Sequence, residues 1–219
     1  MLEYYFEKLK KRKESQADPA AATYMLSESE EAFPEGLGTM DFRKTKTNDA
    51  AEERALALLW KDSRNLHVCA VMEDSDVFNV AVKKNEHTWA TGDVMEFFIQ
   101  PPNAENYYEL HITPELVTLE LSLPGEQKRR EVEFSDMFYD SGFSYDAGQF
   151  SIESGLSGWW GHMIIPFTGV GLSADTLKGA AFSVCRYNYS RDRELPEMSS
   201  TSFYPNGQFH TPSSWHKII

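Results

Sequence analysis

Residues 89–113 read WATGDVMEFFIQPPNAENYYELHIT, and their alternation decides the fold. In the first half Met95, Phe97 and Ile99 point one way and Val94, Glu96 and Phe98 the other. In the second half Tyr108, Leu110 and Ile112 alternate against Tyr107, Glu109 and His111. A hairpin centred on the Asn103–Ala104 loop sets Ile99 opposite Tyr108, Phe97 opposite Leu110 and Glu96 opposite His111. Each pairing keeps like faces together, as a correct register must. The two apolar sets belong to a core, and Glu96 and His111 form a polar cross-strand pair on the outer face.

The same period of two continues outward. Ala55 to Trp60 and Leu66 to Met72 read as strands joined by the polar turn Lys61 to Asn65. Leu116 to Leu123, Trp160 to Phe167 and Ala180 to Tyr189 add three more, with weaker strands at Thr23 to Leu26, Thr201 to Tyr204 and Trp215 to Ile219. Beyond residue 54 only Asp175 to Lys178 hints at a helical turn. Many short strands punctuated by Gly, Pro, Asn and Asp predict an all-β protein, an antiparallel β-sandwich of jelly-roll or immunoglobulin-like type. Leu2, Tyr5, Phe6 and Leu9 fall at helical spacing before Lys10 to Lys13, which predicts a short amphipathic helix over Leu2 to Lys13. The expected division is a helical extension over 1–22 and the sandwich over 23–219.

Composition narrows the function. The 219 residues carry a net charge of −13, and the five basic and two acidic residues among the first 13 leave the rest near −16. Such a chain is repelled by phosphate backbones and anionic lipid, so neither nucleic acid nor membrane is an expected partner. No apolar run approaches the roughly 18 residues of a membrane span. Met1 to Ser15 is charged throughout and is not a secretory signal, so a cytoplasmic location is expected, or separation from whatever exports the chain. The two cysteines, Cys69 and Cys185, sit in apolar strands and read as buried thiols, with a cross-sheet disulfide as the alternative.

The pair Glu96 and His111 lies near Trp89, in a loop with Gly92 where an indole can stand exposed. An indole face suits the C–H face of a pyranose, and a carboxylate and an imidazole can fork onto hydroxyls. The stretches LLWKDSRNLHVCAVMEDSDV (58–77), the strand of Glu96, YYELHI (107–112), GWWGHMIIPF (158–167), CRYNYSR (185–191) and GQFHTPSSWHKII (207–219) together resemble the family 9 carbohydrate-binding modules, within the DOMON-like β-sandwiches. The resemblance spans about Arg54 to Ile219.

It implies a non-catalytic module that recognises a terminal sugar or short oligosaccharide between two aromatic side chains, with a strand carboxylate on the hydroxyls. Trp89 matches the first aromatic and Glu96 the carboxylate. Phe209 stands where the second aromatic, a tryptophan in the best-known sugar binders, is expected. His111 takes the place of a basic donor, and Arg186, beside Cys185, lies in a strand that supplies a further polar contact. The resemblance also implies association with a glycoside hydrolase system, and a family that works mostly outside the cytoplasm. Calcium occurs in some members, and Glu73, Asp74 and Asp76 are a faint echo of such a site.

Three other readings stay open. One is a DOMON-like domain binding haem or another small ligand, for which no Met and His spacing singles out axial ligands. Another is a glycoside hydrolase using Glu96 and Glu109, diagonal neighbours about 7–8 Å apart in this register, a distance that overlaps the roughly 6.5–9.5 Å of inverting enzymes. The third is a purely structural or interaction role.

Overall fold

The computed structural model describes residues 2–11, 23–153 and 155–219. In chain order its elements are α1 (Leu2–Lys10), β1 (Thr23–Tyr24), β2 (Ser27–Glu28), β3 (Met40–Asp41), β4 (Arg43–Lys44), β5 (Ala55–Lys61), β6 (Asn65–Glu73) and β7 (Val94–Gln100), then β8 (Tyr107–Ile112), β9 (Thr118–Leu123), β10 (Ser144–Ser151), β11 (Ser157–Pro166), β12 (Ala181–Asn188), β13 (Glu197–Ser200) and β14 (His216–Ile218). One sheet runs β1-β14-β12-β7-β8-β9, with β13 also on β12 and β4 on β13. The other runs β10-β11-β6-β5-β2, with β3 on β5. The molecule is an all-β sandwich. Two short edge pairs, β1 with β14 and β2 with β5, are parallel, which modifies the all-antiparallel expectation.

The hairpin register is as expected: Glu96 pairs with His111, Phe97 with Leu110 and Ile99 with Tyr108. Between the sheets lie Met95, Phe97 and Ile99 of β7, Leu110 and Ile112 of β8, Leu66, Val68 and Ala70 of β6, and Trp159 and Met163 of β11. Tyr108 packs against this core, partly buried. The β5–β6 turn is tied by Asp62, whose Oδ1 accepts from the backbone N–H of Arg64 and Asn65, both at 2.6 Å. At Gly158 the β6 backbone passes so close that a Cβ would lie 1.9 Å from the carbonyl oxygen of Met72, so only glycine fits there.

Both outer faces are covered, which the simple alternation does not anticipate. Over the second sheet, Tyr5, Phe6 and Leu9 of α1 pack on Leu56, Leu58, Trp60, Cys69 and Val71, and the Tyr5 hydroxyl donates to the Pro34 carbonyl. A lone helix this short is marginal in water, so docking holds it. α1 ends at Lys10 rather than Lys13, and Arg12 and Lys13 lie outside the described residues. Over the first sheet, Phe98, Tyr107, Leu119, Leu121 and Cys185 are covered by Tyr204, Phe209 and Trp215 from the C-terminal segment. Cys69 and Cys185 are free thiols in these two separate outer layers, so the cross-sheet disulfide does not form. Burial pushes both thiols well up.

Other differences are local. The strand expected at Thr23 to Leu26 shortens to β1, Thr23–Tyr24, and β2 follows just beyond it at Ser27–Glu28. The strand expected at Thr201 to Tyr204 lies earlier, as β13, and residues 201–204 enter the covering segment. Edge strand β10 was not foreseen, because SYDAGQFS is polar and mostly exposed and carries no apolar alternation. Asp175 to Lys178 is a turn in which the Leu177 N–H bonds the Ser173 carbonyl, while short 3₁₀ turns fall elsewhere, including Thr88–Ala90 and Phe134–Met137.

Candidate functional site

On the outer face of the first sheet, a pocket of about 350 Å³ opens above β7 and β8. Glu96 and Glu109 lie at its floor, with Trp89, Phe134, Tyr187, Phe209, His210 and Arg129 among its walls.

Trp89 comes from the 3₁₀ turn Thr88–Ala90 in the loop before β7, and it is half-buried. The loop is held from several sides. The Asn79 amide donates to the carbonyls of Thr88 (2.9 Å) and Asp93 (3.0 Å), and the Tyr189 hydroxyl donates to the Trp89 carbonyl (2.8 Å). Gly92, at φ +149°, sits where a Cβ would fall 2.3 Å from the Phe78 carbonyl oxygen, so the loop needs glycine there. The indole meets the Phe134 ring edge-on at 5.6 Å between centroids. Phe209 comes from the covering segment, fixed by the Trp215 Nε1–H donating to its carbonyl at 2.9 Å. Its ring is edge-on to Tyr187 and Tyr204, both at 5.5 Å.

The polar floor is buried. Glu96, Glu109 and His111 are 2%, 3% and 0% exposed, so this is not the solvated ion pair that an outer sheet face ordinarily carries. His111 does not line the pocket; it lies beneath it, with Nε2 at 2.7 Å from Glu109 Oε1 and 3.3 Å from Glu96 Oε1. Its Nδ1 is 2.7 Å from the Thr88 hydroxyl, which ties the Trp89 loop to the floor.

Charge is divided unevenly. Burial pushes the Glu96 carboxyl up, against the pull of His111 and with the push of Glu109. Burial also works to raise Glu109, but His210, His111 and Arg129 outweigh it and hold it low. Burial works to lower His111, and Glu96 and Glu109 outweigh that and raise it. The arrangement favours a protonated Glu96 beside an ionised Glu109 at neutral pH. Glu96 can then donate as well as accept, while Glu109 accepts only. Two buried polar atoms of residues lining this pocket have no hydrogen-bond partner among the described residues: Oε2 of Glu109 and Nε of Arg129.

Of the residues read from sequence, Trp89, Glu96 and Phe209 line this one pocket and His111 supports it. Arg186 does not join them, which corrects the expectation. In β12 Cys185 is the residue opposite Glu96, and Arg186 is opposite Met95, so its side chain leaves the sheet on the inner side. There it is fully buried, donating from Nη2 to Asp74 Oδ2 (3.1 Å) and to the Glu73 carbonyl (2.8 Å). The neighbour with the right parity is Tyr187, which the sequence reading passed over although strand alternation points to it. Arg129 and Phe134 lie on short 3₁₀ turns after β9 and carry no sequence signal. The faint calcium echo is taken up by arginines: Glu73 by Arg54, Asp74 by Arg186 and Asp76 by Arg191.

Comparison with known proteins gives likeness of shape alone. No family model matches the chain, and no curated protein matches it by sequence. Among solved structures, a candidate carbohydrate-binding protein from Bacteroides uniformis superposes with a TM-score of 0.66 at 16% identity, over 91% of this chain and 99% of that one. A family 9 carbohydrate-binding module from Caldicellulosiruptor kristjanssonii, in complex with cellotriose, gives 0.56 at 11% identity, over 90% and 89%. A module of the same family and organism in complex with glucose gives 0.57 at 10% identity, over 90% and 94%. The fold is thus that of the family 9 modules.

Proposed function

We propose that this chain is a non-catalytic carbohydrate-binding module whose pocket above β7 and β8 takes a terminal sugar ring. The observation that carries the reading is the pocket itself, in which aromatic walls surround buried polar atoms with bonds still to make. Trp89 offers a ring face to the C–H face of the sugar, and Phe209 and Tyr187 close the other side. Glu109 Oε2 accepts from one hydroxyl and Arg129 Nε donates to another, each gaining a partner it lacks inside the protein. Glu96, protonated, donates to one hydroxyl and accepts from a second. His111 acts through the two glutamates, holding them in place by its contact with both.

The likeness in shape to modules solved with glucose and cellotriose supports this choice of ligand class. Association with a glycoside hydrolase system is part of the same reading. Affinity should be weak, because a monosaccharide has few atoms and each contributes at most about 1.5 kcal/mol.

A calorimetric screen of glucose, cellotriose and other mono- and oligosaccharides, run in chelator and again with calcium, tests the proposal. Saturable binding of one sugar class, with no hydrolysis products on prolonged incubation, is expected. Failure of every sugar to bind sinks it, and release of new reducing ends favours the hydrolase reading with Glu96 and Glu109.

A further inference from the structure

One atom each from Glu96, Glu109 and His111 converges at the pocket floor, all within 4.8 Å of one another. The two imidazole–carboxylate separations are close to those of a coordination shell, since a tetrahedral ion with bonds of about 2.0 Å separates its ligand atoms by roughly 3.3 Å. His111 Nε2 is 3.3 Å from Glu96 Oε1, and at 2.7 Å from Glu109 Oε1 it needs an opening of only about half an ångström. A further observation also points to a ligand: Glu109, only 3% exposed, lines this pocket, and among the described residues its Oε2 has no hydrogen-bond partner, with His210 Nδ1 3.8 Å away. The Thr88 hydroxyl, 2.7 Å from His111 Nδ1, stands where metal-binding imidazoles usually have an outer contact, and it leaves Nε2 toward the two carboxylates.

We propose that this floor binds one divalent transition-metal ion of the Zn²⁺ class through Glu96, Glu109 and His111, leaving a coordination position open toward the pocket. The donor set decides the class. An imidazole with carboxylates suits zinc, manganese, iron or cobalt, whereas calcium takes about six to eight oxygens at roughly 2.3–2.6 Å, more than the floor provides. The ion supplies the positive charge that two buried carboxylates need when both are ionised. His210, with Nδ1 at 3.8 Å from Glu109 Oε2, stands at the rim as the nearest further imidazole. The inference does not rest on sugar binding.

Calorimetric titration of the full chain with ZnCl₂, in the absence of any sugar, tests it. One saturable site is expected, weakened at least about tenfold in both Glu109→Gln and Glu96→Gln (about 1.4 kcal/mol), with no response to CaCl₂. These near-isosteric changes spare the packing, and circular dichroism melting checks that each variant folds. Should either fail to fold, Co²⁺ added to the unaltered chain decides, because the His111 imidazole NMR signals must then shift before those of His67 or His87. Absence of saturable Zn²⁺ binding, variants that bind within twofold of the parent, or Co²⁺ acting first on another histidine overturns the proposal. Since the sugar screen is run in chelator, failure here leaves that reading standing.

Discussion

Glu96 and Arg186 lie on adjacent strands one residue out of register, and their side chains therefore leave the sheet on opposite faces. The partner of Glu96 in β12 is Cys185, and that of Arg186 is Met95. Glu96 serves the pocket, while Arg186 sits inside the sandwich, locked to Asp74 with both side chains fully buried.

Arg186 is thus a stability residue. Arg186→Ala leaves the Asp74 carboxylate buried without its cation and frees the Glu73 carbonyl. A loss of about 3–5 kcal/mol is expected, the usual cost of breaking one side of a buried pair. Urea unfolding measures it. A loss below about 1 kcal/mol contradicts the assignment.

Trp89→Ala should weaken sugar binding at least about tenfold, or about 1.4 kcal/mol, while the melting temperature changes little. The indole is half-buried and its loop is held through backbone carbonyls that the substitution leaves in place. Calorimetry on the sugar identified in the screen is the measurement. Unchanged affinity removes Trp89 from the site.

A separate histidine pair should shape the acid response. His67 Nε2 is 3.0 Å from Asp62 Oδ2, His67 Nδ1 is 3.2 Å from His162 Nε2, and both imidazoles stack with Trp60. Burial, then the charge of His67, pushes His162 down to about 3. The unfolded chain therefore binds the proton that the folded chain refuses between its ordinary value of about 6.5 and that lowered value. The contribution of His162 is intact above about pH 6.5 and falls progressively as pH drops toward 3, by an amount on the order of 4 kcal/mol. His162→Phe keeps a ring in the stack and should flatten this slope, although it lowers stability at neutral pH by orphaning His67 Nδ1. Urea unfolding at pH 7 and pH 4.5 for both proteins decides. Equal slopes exclude His162 as the source.

The docked helix is open to a simpler test. Leu9 is fully buried against the outer face of the second sheet. Leu9→Ala should cost about 2–5 kcal/mol, as for other buried leucines. A cost near zero means that α1 leaves the sheet readily in solution.

Period-two alternation in residues 94–112 was enough to set the β7–β8 register, the inward apolar set and the opposition of Glu96 to His111, because a one-residue slip exposes the whole apolar face. Helical spacing likewise marked Tyr5, Phe6 and Leu9 as the buried face of α1. What lies over a face is a different question. The outer face of β7 and β8 reads as solvated until Phe209 and Trp215, about a hundred residues later, fold across it. Tertiary structure alone turned Glu96, Glu109 and His111 into a buried cluster, brought Arg129 and Phe134 to its rim and gave Arg186, whose inward face the alternation of β12 already fixes, Asp74 as its partner. Alternation is local and survives in the order of residues, whereas burial and the charge states that follow from it depend on segments whose contacts across the fold no local pattern encodes.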